Sequence, residues 1–319
     1  MKNILVTGSC GQIGSELTLA LRELYGNDNV VATGHITKPS ETLFNSGPFH
    51  AIDCTDIKTV VEVMNKYSID TIYHLAARLS AVAEANPQQA WDVNINGLYN
   101  MLEIAREYKC AIFVPSSIGA FGPNTPHDNT PQDTIQRPNT MYGVTKVAGE
   151  LLCDYYFKRF AIDTRGVRFP GIISYITLPG GGTTDYAVEI FYEAIKQKKY
   201  TCFLKAGTYL DMMYMPDTIK ASIDIMEADP SKLIHRNSFN VSAMSFSPED
   251  IAAEIRKHIP DFTLDYKIDP IRQEIADSWP NNMDDSSARE EWGWKPQYDL
   301  SLMTSDMIEK LSARLNIHI

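Results

Sequence analysis

At 319 residues, with 44% apolar and 22% charged residues, the chain has enough apolar side chains for one large domain, or for a domain with a smaller lobe, in the manner of a soluble globular enzyme. Its net charge of −11 argues against nucleic acid and against an anionic membrane as main partners. Five cysteines (Cys10, Cys54, Cys110, Cys153 and Cys202) are scattered with no CxxC pair, which excludes metal-ligand spacing and a disulfide framework, and predicts reduced thiols in a cytoplasmic protein with no metal site. No targeting segment is expected, and no apolar run approaches the length of a membrane span.

Short apolar runs alternate with helical spacing through the first half. Asn3–Val6 reads as a strand, and Ile13, Leu17, Leu21 and Leu24 mark the helix after it. Strands are predicted over Asn29–Thr33 and Ala51–Asp53, followed by a helical face at Val60, Val61, Met64 and Tyr67. A strand over Thr71–Leu75, a helix over Ala90–Tyr108, a strand over Ala111–Ser116, a helix over Tyr142–Phe160 and a strand over Asp163–Arg168 complete the alternation. Such a succession implies parallel strands joined by right-handed crossover helices on both faces of one sheet: an α/β, Rossmann-type doubly wound fold. After Phe169 the texture changes. Pro179-Gly180-Gly181-Gly182 is a loop signal, and helices are predicted over Tyr186–Gln197, Asp217–Met226, Pro248–His258 and Leu300–Leu315. Residues 1–170 are therefore expected to form a dinucleotide-binding domain, completed by parts of the later chain, and 171–319 mainly a smaller C-terminal α/β substrate lobe.

Thr7-Gly8-Ser9-Cys10-Gly11-Gln12-Ile13-Gly14 follows the first strand and opens the first helix. Gly8 suits a tight turn, Gly11 an approach of backbone to a pyrophosphate, and Gly14 a close helix–strand contact, while the helix N-terminus offers free N–H groups to phosphate. A glycine triplet alone is weak; its strand–turn–helix setting is what points to a dinucleotide. A carboxylate is expected at the end of the second strand to hold the adenosine ribose, yet the chain reads Thr33-Gly34-His35, with Lys38 nearby. That predicts weak discrimination against a 2′-phosphorylated cofactor. Asp53 has two readings, a contact for the adenine amino group or a helix cap for the segment after Thr55.

Tyr142 and Lys146 stand four residues apart, on one face of a helix. An ordinary phenol, with a pKa of about 10, holds its proton too tightly to act as a base near neutrality. A neighbouring ammonium and an oxidised nicotinamide both favour the phenolate, which can take a hydroxyl proton as hydride leaves. Ser116 and Ser117 end a strand, where a hydroxyl can orient the substrate oxygen. A bare YxxxK spacing is common on solvated helices; here Ser117 upstream and the glycine loop at the start give it weight. His74 is expected to pack beside the cofactor and not to act as a base.

Together with the glycine pattern, His74-Leu75-Ala76-Ala77, Asp92-Val93-Asn94-Ile95-Asn96-Gly97, Ser116-Ser117, Tyr142-xxx-Lys146 and the stretch from Ser286 to Pro296 resemble an extended short-chain dehydrogenase/reductase. Within that group, the stretches Gly166–Ser174, Pro179–Ala187, Met212–Met215 and Ala276–Pro280 are similar to the short-chain type of L-threonine 3-dehydrogenase. The resemblance covers nearly the whole chain. It implies oxidation of the threonine C3 hydroxyl by NAD, giving 2-amino-3-oxobutanoate, with Ser117, Tyr142 and Lys146 catalytic. It also implies cofactor contacts from Gly8, Gly11, Gln12, Ile13 and Gly14, from Asp53 and Cys54, from Leu75, Ala76, Ala77 and Asn94, and from Pro170 and Ile172. Substrate contacts would come from Ser80, Thr183, Thr184 and Trp279, the last of which reads equally well as lobe core. The family usually has an aspartate where Gly34 stands. Related enzymes commonly form homodimers through the helix that carries the Tyr-Lys pair and a neighbouring one. A nucleotide-sugar epimerase or dehydratase on the same scaffold is the alternative reading, and a non-catalytic dinucleotide sensor ranks below both because the three catalytic positions are intact.

Overall fold

The computed structural model describes residues 1–177 and 182–317, so part of the expected loop, Pro179 to Gly181, lies outside the described residues. In strand β1, Ile4–Thr7, four successive residues are buried, as a strand covered on both faces requires. Helix α1 (Gln12–Tyr25) follows, then β2 (Val30–Gly34), a short α2 (Glu41–Asn45), β3 (Phe49–Ala51), α3 (Ile57–Tyr67) and β4 (Thr71–His74). Helices α4 (Ser80–Ala85) and α5 (Pro87–Trp91) lead through a π-turn over Asp92–Asn96 into α6 (Gly97–Tyr108). Next come β5 (Ala111–Phe113), β6 (Ser116–Ser117), α7 (Met141–Phe160), β7 (Thr164–Arg165) and β8 (Val167–Phe169).

The strands pair in parallel in the order β3-β2-β1-β4-β5-β7, the arrangement of a Rossmann fold. A separate three-stranded sheet has the order β12-β8-β6: β6 and β8 pair in parallel, and β12 (Phe239–Asn240) pairs in parallel with β8. Alternate residues feed opposite faces. Ile4, Val6, Tyr73 and Phe113 pack with Leu17 and Leu21 of α1 and with Ala221 and Ile225. Leu5, Ile72 and Ile112 pack with Val60 and Met64 of α3, Met101 of α6 and Tyr156 of α7. Each such branched or aromatic side chain contributes about 1.5–3 kcal/mol on burial, so both faces of the sheet are firmly held.

The chain continues past β8 through further strands and helices. They include β9 (Gly171–Ile173), α8 (Tyr186–Gln197), β10 (Lys199–Cys202), β11 (Leu210–Tyr214), α9 (Met215–Glu227), β13 (Met244–Phe246), α10 (Pro248–Arg256), β14 (Thr263–Tyr266), α11 (Pro270–Asp277), α12 (Ser286–Trp292) and α13 (Leu300–Leu315). Of these, α9 returns to the main sheet through Ala221 and Ile225. A separate core joins Ile173, Phe191, Tyr214, Phe246, Trp279 and Met307, and it includes Ile118 and Phe121 from the loop after β6.

Four expectations need correction. The strands expected over Ala111–Ser116 and Asp163–Arg168 are each split in two, into β5 and β6 and into β7 and β8. Strand β3 lies two residues earlier than Ala51–Asp53, because it pairs Ala32 with Phe49 and Gly34 with Ala51, and Asp53 falls in the turn beyond it. The helix expected over Ala90–Tyr108 starts at Pro87 and is interrupted by the π-turn.

Candidate active site

The loop between β1 and α1 is shaped by atoms it lacks. Gly8 has φ +70°, and a Cβ there would lie 2.7 Å from the Ala76 nitrogen, so the loop rests directly on the backbone after β4. A Cβ on Gly14 would collide with the Gly8 carbonyl oxygen. Gly11 donates to that same oxygen at 3.0 Å and is the N-cap of α1, with no side-chain cap and no acidic residue in the first turn. Gln12 and Ile13 therefore begin a helix whose N-terminal amides and positive dipole end have no side-chain competitor for an anion. This cradle fits the diphosphate of a dinucleotide.

Beside it, Ser9 donates from both N and Oγ to the Thr33 carbonyl at 2.9 Å, tying the loop to β2. A Cβ on Gly34 would come 2.7 Å from the Cys10 Sγ, so the thiol fills the space that any larger residue at 34 would need. Asp53 accepts from the Thr55 N–H and hydroxyl at 2.9 and 2.8 Å and lies 3.6 Å from the His35 ring. Desolvation works to raise the Asp53 pKa, but the Thr55 hydrogen bonds and His35 outweigh it and hold the carboxyl below its ordinary value. The cap of α3 is Asp56, not Asp53. Cys54 is buried, its thiol 2.7 Å from where a Cβ on Gly97 would be, and burial followed by Asp53 pushes its pKa up to about 11.

At the far end of β4, His74 is buried and bonded through Nδ1 to the Thr7 hydroxyl at 2.8 Å. Burial first, and the nearby Lys146 charge second, push its pKa down to about 3, so His74 is neutral at physiological pH and is not a base in waiting. Leu75, Ala76 and Ala77 follow it and line, with Asn94 and Lys146, a cavity of about 30 Å³. Asn94 sits in the π-turn, accepts from the Arg78 N–H at 2.7 Å, and donates to the Arg78 carbonyl and to Thr145 Oγ1. It thus pins α7 one residue before Lys146.

Helix α7 is capped by Thr140, whose hydroxyl accepts from the Gly143 N–H. Tyr142 is buried in its first turn, packed with Ala83 of α4 and Ala90 of α5. Lys146, one turn on, lies 5.5 Å from the centre of the Tyr142 ring and donates to the Pro115 carbonyl at 2.7 Å. Ser117 caps the short turn Ile118–Ala120, its oxygen accepting from the Gly119 N–H at 3.1 Å. A Cβ on Gly119 would be 3.2 Å from the Tyr142 ring and 3.5 Å from the Ser117 oxygen. Ser117 and Tyr142 therefore flank one bare glycine, while Lys146 reaches the same strand end from below.

The remaining expected residues are more dispersed. Pro170 is buried between β8 and β9, and Ile172 lies on β9 opposite Met213. Thr184 packs on Gly171, whose Cβ would lie 2.7 Å from its methyl, and Thr183 is buried next to it. Ser80 opens α4, the helix that packs on α7. Trp279 is part of the core that joins Ile173, Phe191, Tyr214 and Met307. Among the described residues, no group of three His, Cys, Asp or Glu side chains is placed to hold a metal ion, and no helix is long and apolar enough to cross a membrane.

A group that the sequence reading missed lies directly behind Lys146. Buried Glu150 accepts from the Ser116 hydroxyl, from Gln136 at 2.8 Å, and from Arg168 Nε and Nη2 at 3.1 and 2.9 Å. The other Arg168 nitrogen donates to the Gln132 carbonyl and the Asn240 side chain. The signal was present as a Tyr142, Lys146, Glu150 ladder at four-residue spacing, but its partners come from distant segments.

A sheet with this glycine cradle at one strand end and a Ser, Tyr, Lys set at another is that of an extended short-chain dehydrogenase/reductase. The chain belongs to the NAD dependent epimerase/dehydratase family, which it matches over residues 4–242. An uncharacterized epimerase/dehydratase of Staphylococcus haemolyticus (strain JCSC1435) is 55% identical over 314 residues, covering 98% of this chain and 99% of the relative. The X-ray structure of L-threonine dehydrogenase from Clostridium difficile superposes with a TM-score of 0.97 at 60% identity, covering 98% of both chains. A monomeric L-threonine 3-dehydrogenase from a metagenome, in its apo form, gives a TM-score of 0.92 at 48% identity, covering 98% of this chain and 99% of that one.

Proposed function

We propose that the chain is an NAD-dependent L-threonine 3-dehydrogenase, oxidising the C3 hydroxyl of L-threonine to 2-amino-3-oxobutanoate. The observation that carries the substrate is the likeness, over 98% of both chains, to the L-threonine dehydrogenase of Clostridium difficile. Ser117 hydrogen-bonds the C3 oxygen, and Tyr142, as phenolate, takes the hydroxyl proton. Lys146, which donates to the Pro115 carbonyl, supplies positive charge that favours the phenolate and would be the residue to hold the nicotinamide ribose. Bound NAD supplies the hydride acceptor at nicotinamide C4. Gly8, Gly11, Gln12, Ile13 and Gly14 would hold its diphosphate, and Asp53 with Cys54 would border its adenine. Leu75, Ala76, Ala77, Asn94, Pro170 and Ile172 flank the rest of the cofactor.

In the same reading, the part after residue 170 is mainly the substrate-binding lobe, with Ser80, Thr183, Thr184 and Trp279 bordering the amino acid. A homodimer through α6 and α7, whose Tyr99, Leu151 and Tyr155 are exposed, belongs to it too; light scattering of the purified chain tests that, since one similar enzyme is monomeric. The family's description, NAD dependent epimerase/dehydratase, keeps a second reading open, for which a nucleotide sugar is the substrate to test. NAD reduction followed at 340 nm with L-threonine, L-serine and a panel of hydroxy acids, beside a nucleotide-sugar conversion assay, separates the two. Turnover of L-threonine that is lost in Tyr142→Phe, with NAD binding kept, supports the proposal. Near-normal turnover in that variant sinks the mechanism, and nucleotide-sugar conversion alone sinks the substrate.

A further inference from the structure

Helix α7 grips the strand end that presents Ser117 at successive residues. Lys146 donates to the Pro115 carbonyl at 2.7 Å, and Glu150, one turn further on, accepts from the Ser116 hydroxyl. The Ser116 side chain is held by Glu150 of α7, while the next residue, Ser117, presents its oxygen to the Gly119 N–H beside Tyr142. Ser116 lies in register with Arg168 on β8, and Arg168 in turn with Asn240 on β12, which makes one polar row across the sheet under Glu150. Ser116, Glu150 and Arg168 are each buried to more than nine-tenths. An exposed pair of this kind would do little, but a buried, charge-assisted one is both strong and geometrically specific.

We infer that Ser116 and Glu150 form a positioning clamp that holds Ser117 and the Gly119 turn in register with Tyr142, with Arg168 keeping the Glu150 carboxylate in place. The inference rests on the proposed function in one respect. If Lys146 turned to the cofactor ribose, the Ser116–Glu150 hydrogen bond would still tie α7 to this strand end. The clamp is then needed most at the moment of reaction, when an error of 1 Å in the placement of a reacting group costs about a hundredfold in rate.

The test compares three full-length variants. Ser116→Ala removes the clamp and leaves the Glu150–Arg168 pair intact. Glu150→Gln keeps a hydrogen bond to Ser116 but strands the Arg168 charge, and Glu150→Leu removes both. The expected result is a crossed pattern. Ser116→Ala lowers kcat about tenfold or more with KM for NAD and amino acid within about twofold. Glu150→Gln has the lower thermal midpoint of the two yet keeps more of its kcat, and Glu150→Leu loses both. Full kcat in Ser116→Ala overturns the clamp. So does a loss of kcat that simply follows the midpoint across the three, which is what a structural role gives. Amide exchange supplies a readout free of turnover: the Gly119 amide, bonded to Ser117, exchanges faster in Ser116→Ala while the Lys146–Phe160 part of α7 does not change. Unaltered exchange at Gly119 refutes the inference. A wild-type chain that fails to oxidise L-threonine refutes the substrate reading instead, and the exchange result still decides the clamp.

Discussion

Lowering the pH from 7.5 to 5 acts on His74 in a way that can be calculated. Its pKa is pushed down to about 3 in the folded chain by burial and by Lys146, against an ordinary 6.5 once unfolded. Because the folded value is depressed, the unfolded chain takes up the proton first. Stability linked to this group is fully present above pH 6.5 and is lost as the pH falls from 6.5 towards 3. Between pH 7.5 and 5 the loss is about 2 kcal/mol, and by pH 4 about 3 kcal/mol. Other groups shift the opposite way: buried Asp211 has its pKa raised well above the carboxylate range, chiefly by desolvation, and gains stability as it protonates. The His74 contribution is therefore read as a difference. His74→Asn keeps a polar atom near Nδ1 for the Thr7 hydroxyl and has no ring to protonate. Urea unfolding of both proteins at pH 7.5, 6, 5 and 4 should show a wild-type advantage that shrinks by about 2 kcal/mol at pH 5. Two parallel curves would refute the account, because they would mean that His74 carries its proton equally in both states.

Three other perturbations follow from the glycines. Gly34→Asp requires the Cys10 thiol, 2.7 Å from the new Cβ, to turn away; with Cys10→Gly beside it, the ratio of kcat/KM for NAD over NADP should rise about tenfold or more, and no change would show that other residues set the preference. Gly8→Ala forces φ +70° on an L residue against the Ala76 backbone, so a loss of at least about 1–2 kcal/mol is expected in denaturant unfolding, with weaker NAD binding by calorimetry; wild-type values for both would contradict the close packing. Gly119→Ala places a methyl 3.2 Å from the Tyr142 ring, and kcat should fall about tenfold with the thermal midpoint nearly unchanged; undiminished kcat would mean that the Ser117–Tyr142 spacing is not critical.

How much of this was legible in the sequence depended on whether the cause was local. The glycine loop could be read because each glycine answers a demand made by residues within a few positions of it, and the Rossmann strand order follows from alternation and crossover handedness. Helix α13 was read at its observed ends because its apolar spacing is regular and Asp299 caps it, accepting from the Leu302 N–H at 2.8 Å. Edge strand β3 was misplaced because it is only half buried, and a weak pattern yields to the register demanded by β2. Ser117 and Tyr142 could be named, but their meeting across Gly119 depends on how the turn after β6 folds back. The Glu150–Arg168 hub was invisible for the same reason. Its partners, Ser116, Gln132, Gln136, Arg168 and Asn240, span more than a hundred residues, and no spacing rule connects them.

The π-turn over Asp92–Asn96 can be regarded as a joint that resets phase. An α-helix advances about 100° per residue, so one extra residue in a turn rotates everything after it by about that angle. Before the joint, Ala90 faces Tyr142; after it, Leu98, Met101, Leu102 and Ala105 face the sheet, and Asn94 is left inside the bend to reach Arg78 and Thr145. Substitutions at the exposed positions of this segment leave that rotation alone, whereas deleting a single residue turns one of the two apolar faces towards water. The number of residues between Trp91 and Gly97 is thus a more demanding constraint on the chain than most of their identities.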